Sequence, residues 1–193
     1  MAASPAPKQM DAPDSGATKT SPATASPVMA RRLPSWLIVL LAVVGVGLDQ
    51  LCKGLAILLL DPARPVSIIG ELVQFQLARN PGAAFSMGEA ITPVFAAVAA
   101  LALVAIIVFV LPRLITRLDG VIVAALMAGI AGNLLDRIFR PPGPLHGYVV
   151  DFIWVSHFAI FNVADIFITC GAIAVALRLI VTAAHEREPE AAA

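Results

Sequence analysis

Residues 36–60 read WLIVLLAVVGVGLDQLCKGLAILLL, a run interrupted by only two charges, Asp49 and Lys53. A helix rises 1.5 Å per residue, so about 20 apolar residues cross the hydrocarbon core of a bilayer, and this run predicts a membrane span. Three further runs reach or approach that length: 90–111, which carries no charge, 121–139, which closes on Asp136 and Arg137, and 160–181, which holds Asp165 and Arg178. Composition agrees. Of 193 residues 59% are hydrophobic and 13% charged, with a mean hydropathy of +0.88, against roughly 45–50% and about 25% in a soluble domain. One small domain has too little interior to hide so much apolar surface, which excludes a soluble enzyme and turns part of that surface toward lipid.

Thirteen basic residues balance thirteen acidic ones, leaving no global field to attract nucleic acid. Cys52 and Cys170 lie inside apolar runs, at a spacing that fits neither a disulfide framework nor a zinc site. The expected organisation is an all-α membrane protein: a four-helix domain over 31–183, preceded by a disordered Ala-, Pro-, Ser- and Thr-rich segment 1–30 and followed by a tail, 184–193. Segment 1–30 has no apolar stretch of its own and does not read as a cleavable signal. No internal repeat is present.

Lys and Arg collect on cytoplasmic flanks. Arg31 and Arg32 precede the first run, Arg113 and Arg117 separate the second from the third, and Arg178 and Arg187 close the chain, so both termini are expected in the cytoplasm. Connections 61–89 and 140–159 then face outside, although Arg64, Arg79 and Arg140 on that side weaken the bias. In the first connection Val73, Phe75 and Leu77 alternate with Gln74 and Gln76, the period of a half-buried strand, predicting a small extracytoplasmic β platform between helices 1 and 2. The second opens with Pro141, Pro142, Gly143 and Pro144, then runs extended through Tyr148 and Val150 to end at Asp151, with 152–159 expected as a turn.

Ionisable groups inside spans cost at least about 2.5–3.5 kcal/mol each at the helix centre, so their default reading is functional. Asp49, Asp136, Arg137, Asp151 and Asp165 all fall toward the outer ends of the runs. Asp49 and Lys53 are four apart, Gly129, Asn133 and Arg137 repeat the same step, and Asn162 and Asp165 are three apart, so each set shares a helix face. For Asp49, Lys53, Asp136 and Gly129 two readings stay open: a site, or the polar glue and close packing common between membrane helices. Asp151 and Asp165 differ, because neither has a basic neighbour in sequence and a lone buried carboxylate keeps its proton.

On one continuous helix these two would stand about 21 Å apart, so only a reversal of the chain brings them together. Adjacent carboxylates cannot both ionise and titrate as a pair. The charged member can take a proton from water while the neutral one donates to a carbonyl oxygen, which is peptide hydrolysis without metal or covalent intermediate. The histidines, His146, His157 and His185, offer no HExxH pattern, no serine sits in a GxSxG turn, and His157 reads as a solvated loop residue.

Five blocks now stand out: Asp49-Gln50-Leu51-Cys52-Lys53, Asn80-Pro81-Gly82-Ala83-Ala84-Phe85-Ser86, Gly132-Asn133-Leu134-Leu135-Asp136-Arg137, Val149-Val150-Asp151-Phe152 and Phe161-Asn162-Val163-Ala164-Asp165. In this order they resemble the lipoprotein signal peptidase, or signal peptidase II, family. The resemblance implies a bacterial inner-membrane aspartic endopeptidase that needs no cofactor or metal. Its substrate is the prolipoprotein, cut on the N-terminal side of a cysteine carrying a diacylglyceryl group. Block by block it implies Asp151 and Asp165 as the catalytic dyad near the outer surface, and Asn133, Asp136, Arg137 and Asn162 as lining or support. Asn80 is implied on the substrate-facing platform, with Asp49 and Lys53 behind it. Arg137 either stabilises a developing oxyanion or neutralises Asp136.

Gly82, Ala83 and Ala84 either give a strand-like peptide room to approach or form an ordinary tight turn. The chain departs from the family pattern at Ala128, where a second glycine is common, at Cys52, where Ser or Thr is frequent, and in its short interval between Asp151 and Asp165. A monomer in contact with membrane lipid, and with no nucleic-acid partner, is the expected assembly. Two rivals come from other classes. A proton-coupled transporter would put polar groups at midplane depth in several spans, which the charge-free second run and the outer-end clustering oppose. A scaffold would tolerate Asn at positions 151 and 165.

Overall fold

The computed structural model describes residues 32–82 and 91–191, with side chains described as far as 184. The expected disorder of 1–30 lies outside the described residues. Four helices long and apolar enough to cross a membrane carry the fold. α1 spans Ser35–Leu59. α2 spans Thr92–Ala105 and continues through a π-helical stretch, Ile106–Val110, and a 3₁₀ turn, Leu111–Arg113. α3 spans Arg117–Phe139 and α4 spans Val163–Ala191, whose last turns run through the segment expected as a separate tail.

α3 is the central helix, packed against α1, α2 and α4. Half of its apolar stretch (50%) is buried, against 22% for α1, 11% for α2 and 6% for α4. The outer helices turn Leu58, Leu101 and Leu179 outward, as bilayer-facing surfaces do. Close approach to α3 depends on small residues. A Cβ at Gly45 of α1 would lie 2.7 Å from that of Ala128, and one at Gly132 would lie 2.6 Å from Oδ2 of Asp49. At Gly129 it would meet the carbonyl oxygen of Ala164 in α4. Gly45 thus makes room for the methyl group of Ala128 across the interface.

The starts of α3 and α4 differ from expectation by more than two residues, in each case because a cap outweighs hydropathy. α3 begins at Arg117 rather than 121: Asp119 N–H donates to Thr116 Oγ1 and Thr116 N–H donates to Asp119 Oδ2, both at 3.1 Å, a reciprocal capping box. Asp119 also pairs with Arg178 of α4 at 3.0 Å. α4 begins at Val163 rather than 160, after Asn162.

The expected β platform is present, and it has three strands. β1 (Val66–Ile69) and β2 (Val73–Asn80) lie between α1 and α2, and β3 (Val149–Val155) joins them from the connection after α3, in the antiparallel order β1-β2-β3. Here the expectation for Asp151 is corrected. It stands in the middle of β3 rather than ending an extended approach, because the strand runs on to Val155 along β2. The chain then reverses and pairs Phe161 with Ile153, with N–H···O bonds of 2.9 and 3.0 Å. This reversal returns residues 162–165 to the side of Asp151.

Candidate active site

Strand alternation decides which side chains face the site. Ala78 stands opposite Asp151 across β2 and β3, so Asn80, two residues on, shares the face of Asp151. Its Nδ2 donates to Asp151 Oδ2 at 2.9 Å, and its Oδ1 accepts the N–H of Gly82 at 2.9 Å. Gly82 has φ of +93°, and a Cβ there would press on the Phe95 ring at 3.1 Å. Asn80-Pro81-Gly82 is therefore a tight turn of the side-chain-capped kind. The continuation of that block, residues 83–86, lies outside the described residues.

Asn162 joins the two acids. As the N-cap of α4 its Oδ1 accepts the N–H of Asp165 at 3.0 Å, while its own N–H donates to Asp165 Oδ2 at 3.1 Å. Its Nδ2 donates to Asp151 Oδ1 at 2.6 Å and to Asn133 Oδ1 at 3.2 Å. Asn133 Nδ2 in turn donates to Asp165 Oδ1 at 2.8 Å. Each carboxylate thus accepts two N–H donors, and among the described residues neither is in an ion pair. Asp151 is 3% exposed, whereas Asp165 is half-buried and lines a cavity of about 210 Å³ with Phe158, Phe161, Ile166, Thr169 and Cys170.

Beside the acids lies a buried charged cluster. Lys53 Nζ donates to Asp49 Oδ2 at 2.8 Å, Asp136 Oδ2 at 2.9 Å and Asn133 Oδ1 at 3.0 Å, and Lys53 and Asp49 are fully buried. Asp49 Oδ1 also accepts the N–H of Ala164 at 2.9 Å, satisfying an orphan donor of the first turn of α4 from another helix. Asp136 Oδ2 accepts the N–H of Val150 at 3.1 Å and so fixes β3 one residue from Asp151. Gly129 makes room for α4 rather than facing the acids.

Two contributors escaped the sequence reading. Gln50 Nε2 donates to Asp136 Oδ1 at 3.2 Å and to the carbonyl oxygen of Gly132 at 3.0 Å, and Arg140 pairs with Asp136 at 2.6 Å. The four-residue step from Asp136 to Arg140 was the available signal for the second. Asp136 is therefore paired with Lys53 and Arg140. Arg137 instead lies against the Phe95 ring, 5.6 Å from its centroid, with Nη1 buried and unpartnered among the described residues.

Burial pushes the Asp151 carboxyl up from the ordinary 3.8 to about 6, helped by the nearby Asp165 and opposed by the amides of Asn80 and Asn162 and by Lys53. The unfolded chain releases this proton near 3.8 and the folded chain near 6. The stability contributed by the protonated form is full below pH 3.8, declines between the two values and is gone above about 6. Denaturation of Asp151→Asn beside the parent chain is expected to reveal this window. The variant's stability relative to the parent rises by about 3 kcal/mol from the acid side to the neutral side. A pH-independent difference would refute the assignment.

Fold and site together define an integral membrane protein with a carboxylate centre at the sheet end of a four-helix bundle. A sequence profile of the family described as signal peptidase (SPase) II matches residues 41–181. The chain belongs to the signal peptidase II family, a family of membrane proteases. It is 44% identical over 148 residues to the lipoprotein signal peptidase of Mycolicibacterium smegmatis, an alignment covering 77% of this chain and 62% of that protein. The lipoprotein signal peptidase of Mycobacterium tuberculosis shows the same identity, with 77% and 72% covered. The chain thus spans under two thirds of the first relative's length. A solved bacterial membrane enzyme superposes with a TM-score of 0.71 at 26% identity, covering 83% of this chain and 97% of that one.

Proposed function

We propose that the protein is an aspartic endopeptidase of the bacterial inner membrane. It removes signal peptides from diacylglyceryl-modified prolipoproteins by cutting N-terminal to the lipidated cysteine. The observation that carries this reading is Asn162, which holds Asp151 through its side chain and Asp165 through its backbone. The chemistry needs two carboxyls and one water. Asp165 takes a proton from the water as the water oxygen attacks the scissile carbonyl carbon, and Asp151, whose burial raises its proton affinity, acts in its protonated form and gives its proton to the carbonyl oxygen. The tetrahedral diol then collapses: the amide nitrogen receives the proton from Asp165, a hydroxyl proton returns to Asp151, and the C–N bond breaks.

Arg137 fits the role of donor to the substrate carbonyl rather than counter-ion of Asp136. Its Nη1 lacks a partner among the described residues, whereas Asp136 already has two cations. The signal peptide of a lipidated precursor lies in the bilayer with its scissile bond near the surface. The apolar cavity beside Asp165 supports a lateral route from lipid to the acids. Both termini in the cytoplasm and the sheet on the outer side complete the reading, which needs only one copy of the chain and no metal.

The reading is tested by incubating the reconstituted protein with one precursor in lipidated and unlipidated form. Cleavage of the lipidated form alone is expected, and comparable cleavage of both would turn the reading into that of a general membrane protease.

A further inference from the structure

A second cavity, of about 360 Å³, lies on the opposite face of the sheet from the acids, lined by Ile57, Arg79, Arg140, Pro141, Tyr148 and Val150. Arg79 stands opposite Val150 across β2 and β3, so alternation turns it away from Asn80 and Asp151 and toward this cavity. Arg140 gives its Nε to Asp136 and its Nη2 to Gln50. Lys53 and Arg140 together match the charges of Asp49 and Asp136. Arg79 is left over: among the described residues it makes no ion pair and no carboxylate offsets its charge in the cavity.

Depth identifies the anion. Ile57 belongs to the last turn of α1 and Arg140 is the C-cap of α3, so the arginines stand where apolar helix gives way to the sheet, the level of lipid headgroups. Leu58 and Leu59, next to Ile57 at the end of α1, are 79% and 75% exposed and present apolar surface at the same level. Guanidinium groups match phosphodiester oxygens in geometry and charge. We propose that this cavity binds the phosphodiester headgroup of an anionic phospholipid between Arg79 and Arg140.

The test is native mass spectrometry of the full chain released from nanodiscs holding equal phosphatidylglycerol and phosphatidylcholine. The parent chain is expected to retain phosphatidylglycerol preferentially. Arg79→Gln is expected to lower that preference about fivefold, the factor one surface arginine contributes toward anionic lipid, while cleaving precursor at the parental rate. Equal retention of the two lipids, or an unchanged preference in Arg79→Gln, overturns the proposal. Displacement of the lipid by millimolar inorganic phosphate also overturns it, in favour of a free-phosphate site. If Arg79→Gln fails to fold, Ile57→Trp, which fills the cavity without altering charge, is expected to abolish retention, and undiminished retention refutes the site.

Discussion

Asp151→Asn and Asp165→Asn are each expected to lower the rate of precursor cleavage by at least about 10²–10⁴-fold, the usual worth of a positioned acid or base, while the protein still inserts and folds. The reason lies in the division of labour. An amide at 165 cannot take a proton from water, and an amide at 151 has no acidic proton for the carbonyl oxygen. Neither change removes a counter-ion, because neither acid is in an ion pair among the described residues, so the fold loses at most a hydrogen bond or two. Thermal melting beside the rate measurement separates the two effects. Near-parental turnover in a folded variant would return both acids to the scaffold reading.

The second large effect is on stability. Lys53→Met is expected to destabilise the bundle by about 3–5 kcal/mol, the cost of stripping the partner from a buried ion pair. Lys53, itself fully buried, answers two buried carboxylates and the amide oxygen of Asn133 at once, all within 3.0 Å. Methionine fills the volume but leaves Asp49 with no cation and Asp136 with Arg140 alone. The loss reaches the acids through two threads: Asp49 caps α4 at Ala164, and Asp136 holds β3 at Val150. Adding Asp49→Asn and Asp136→Asn is expected to restore part of the stability. No recovery in the triple variant would show that the charges were not the cause.

Much of this arrangement was legible in the chain. Length and apolarity mark all four helices, and the alternation from Val73 to Leu77 marks β2. The pairing of Asp49 with Lys53 follows from helical spacing alone. Less legible was anything set by partners distant in sequence. Whether 152–155 is a turn or a strand depends on the edge offered by β2, some seventy residues earlier, and period alone does not reveal that neighbour. The roles of Gln50 and Arg140 depend on how α1 and α3 cross, which close approach at Gly45 and Gly132 governs.

Some signals were present but unused. Asn162 with Asp165, and Thr116 with Asp119, each have the spacing of a capping box, and reading them so would have placed both helix starts. The choice left open for Arg137 could not be made from spacing, since Asp136 is adjacent to it in sequence and four residues from Arg140. Direction along the helix decides: the four-residue step brings Arg140 to the carboxylate, and the adjacent position turns Arg137 away to Phe95.

The central claim is that Asp151 and Asp165 act as one unit, and a double-mutant cycle on kcat/KM with lipidated precursor tests it most directly. If the acids share one proton and one water, each single Asn variant loses nearly everything and the double variant is no slower than either. Losses that multiply, with each single variant keeping a measurable share of the parental rate, would mean that the two carboxylates contribute separately and that no dyad exists.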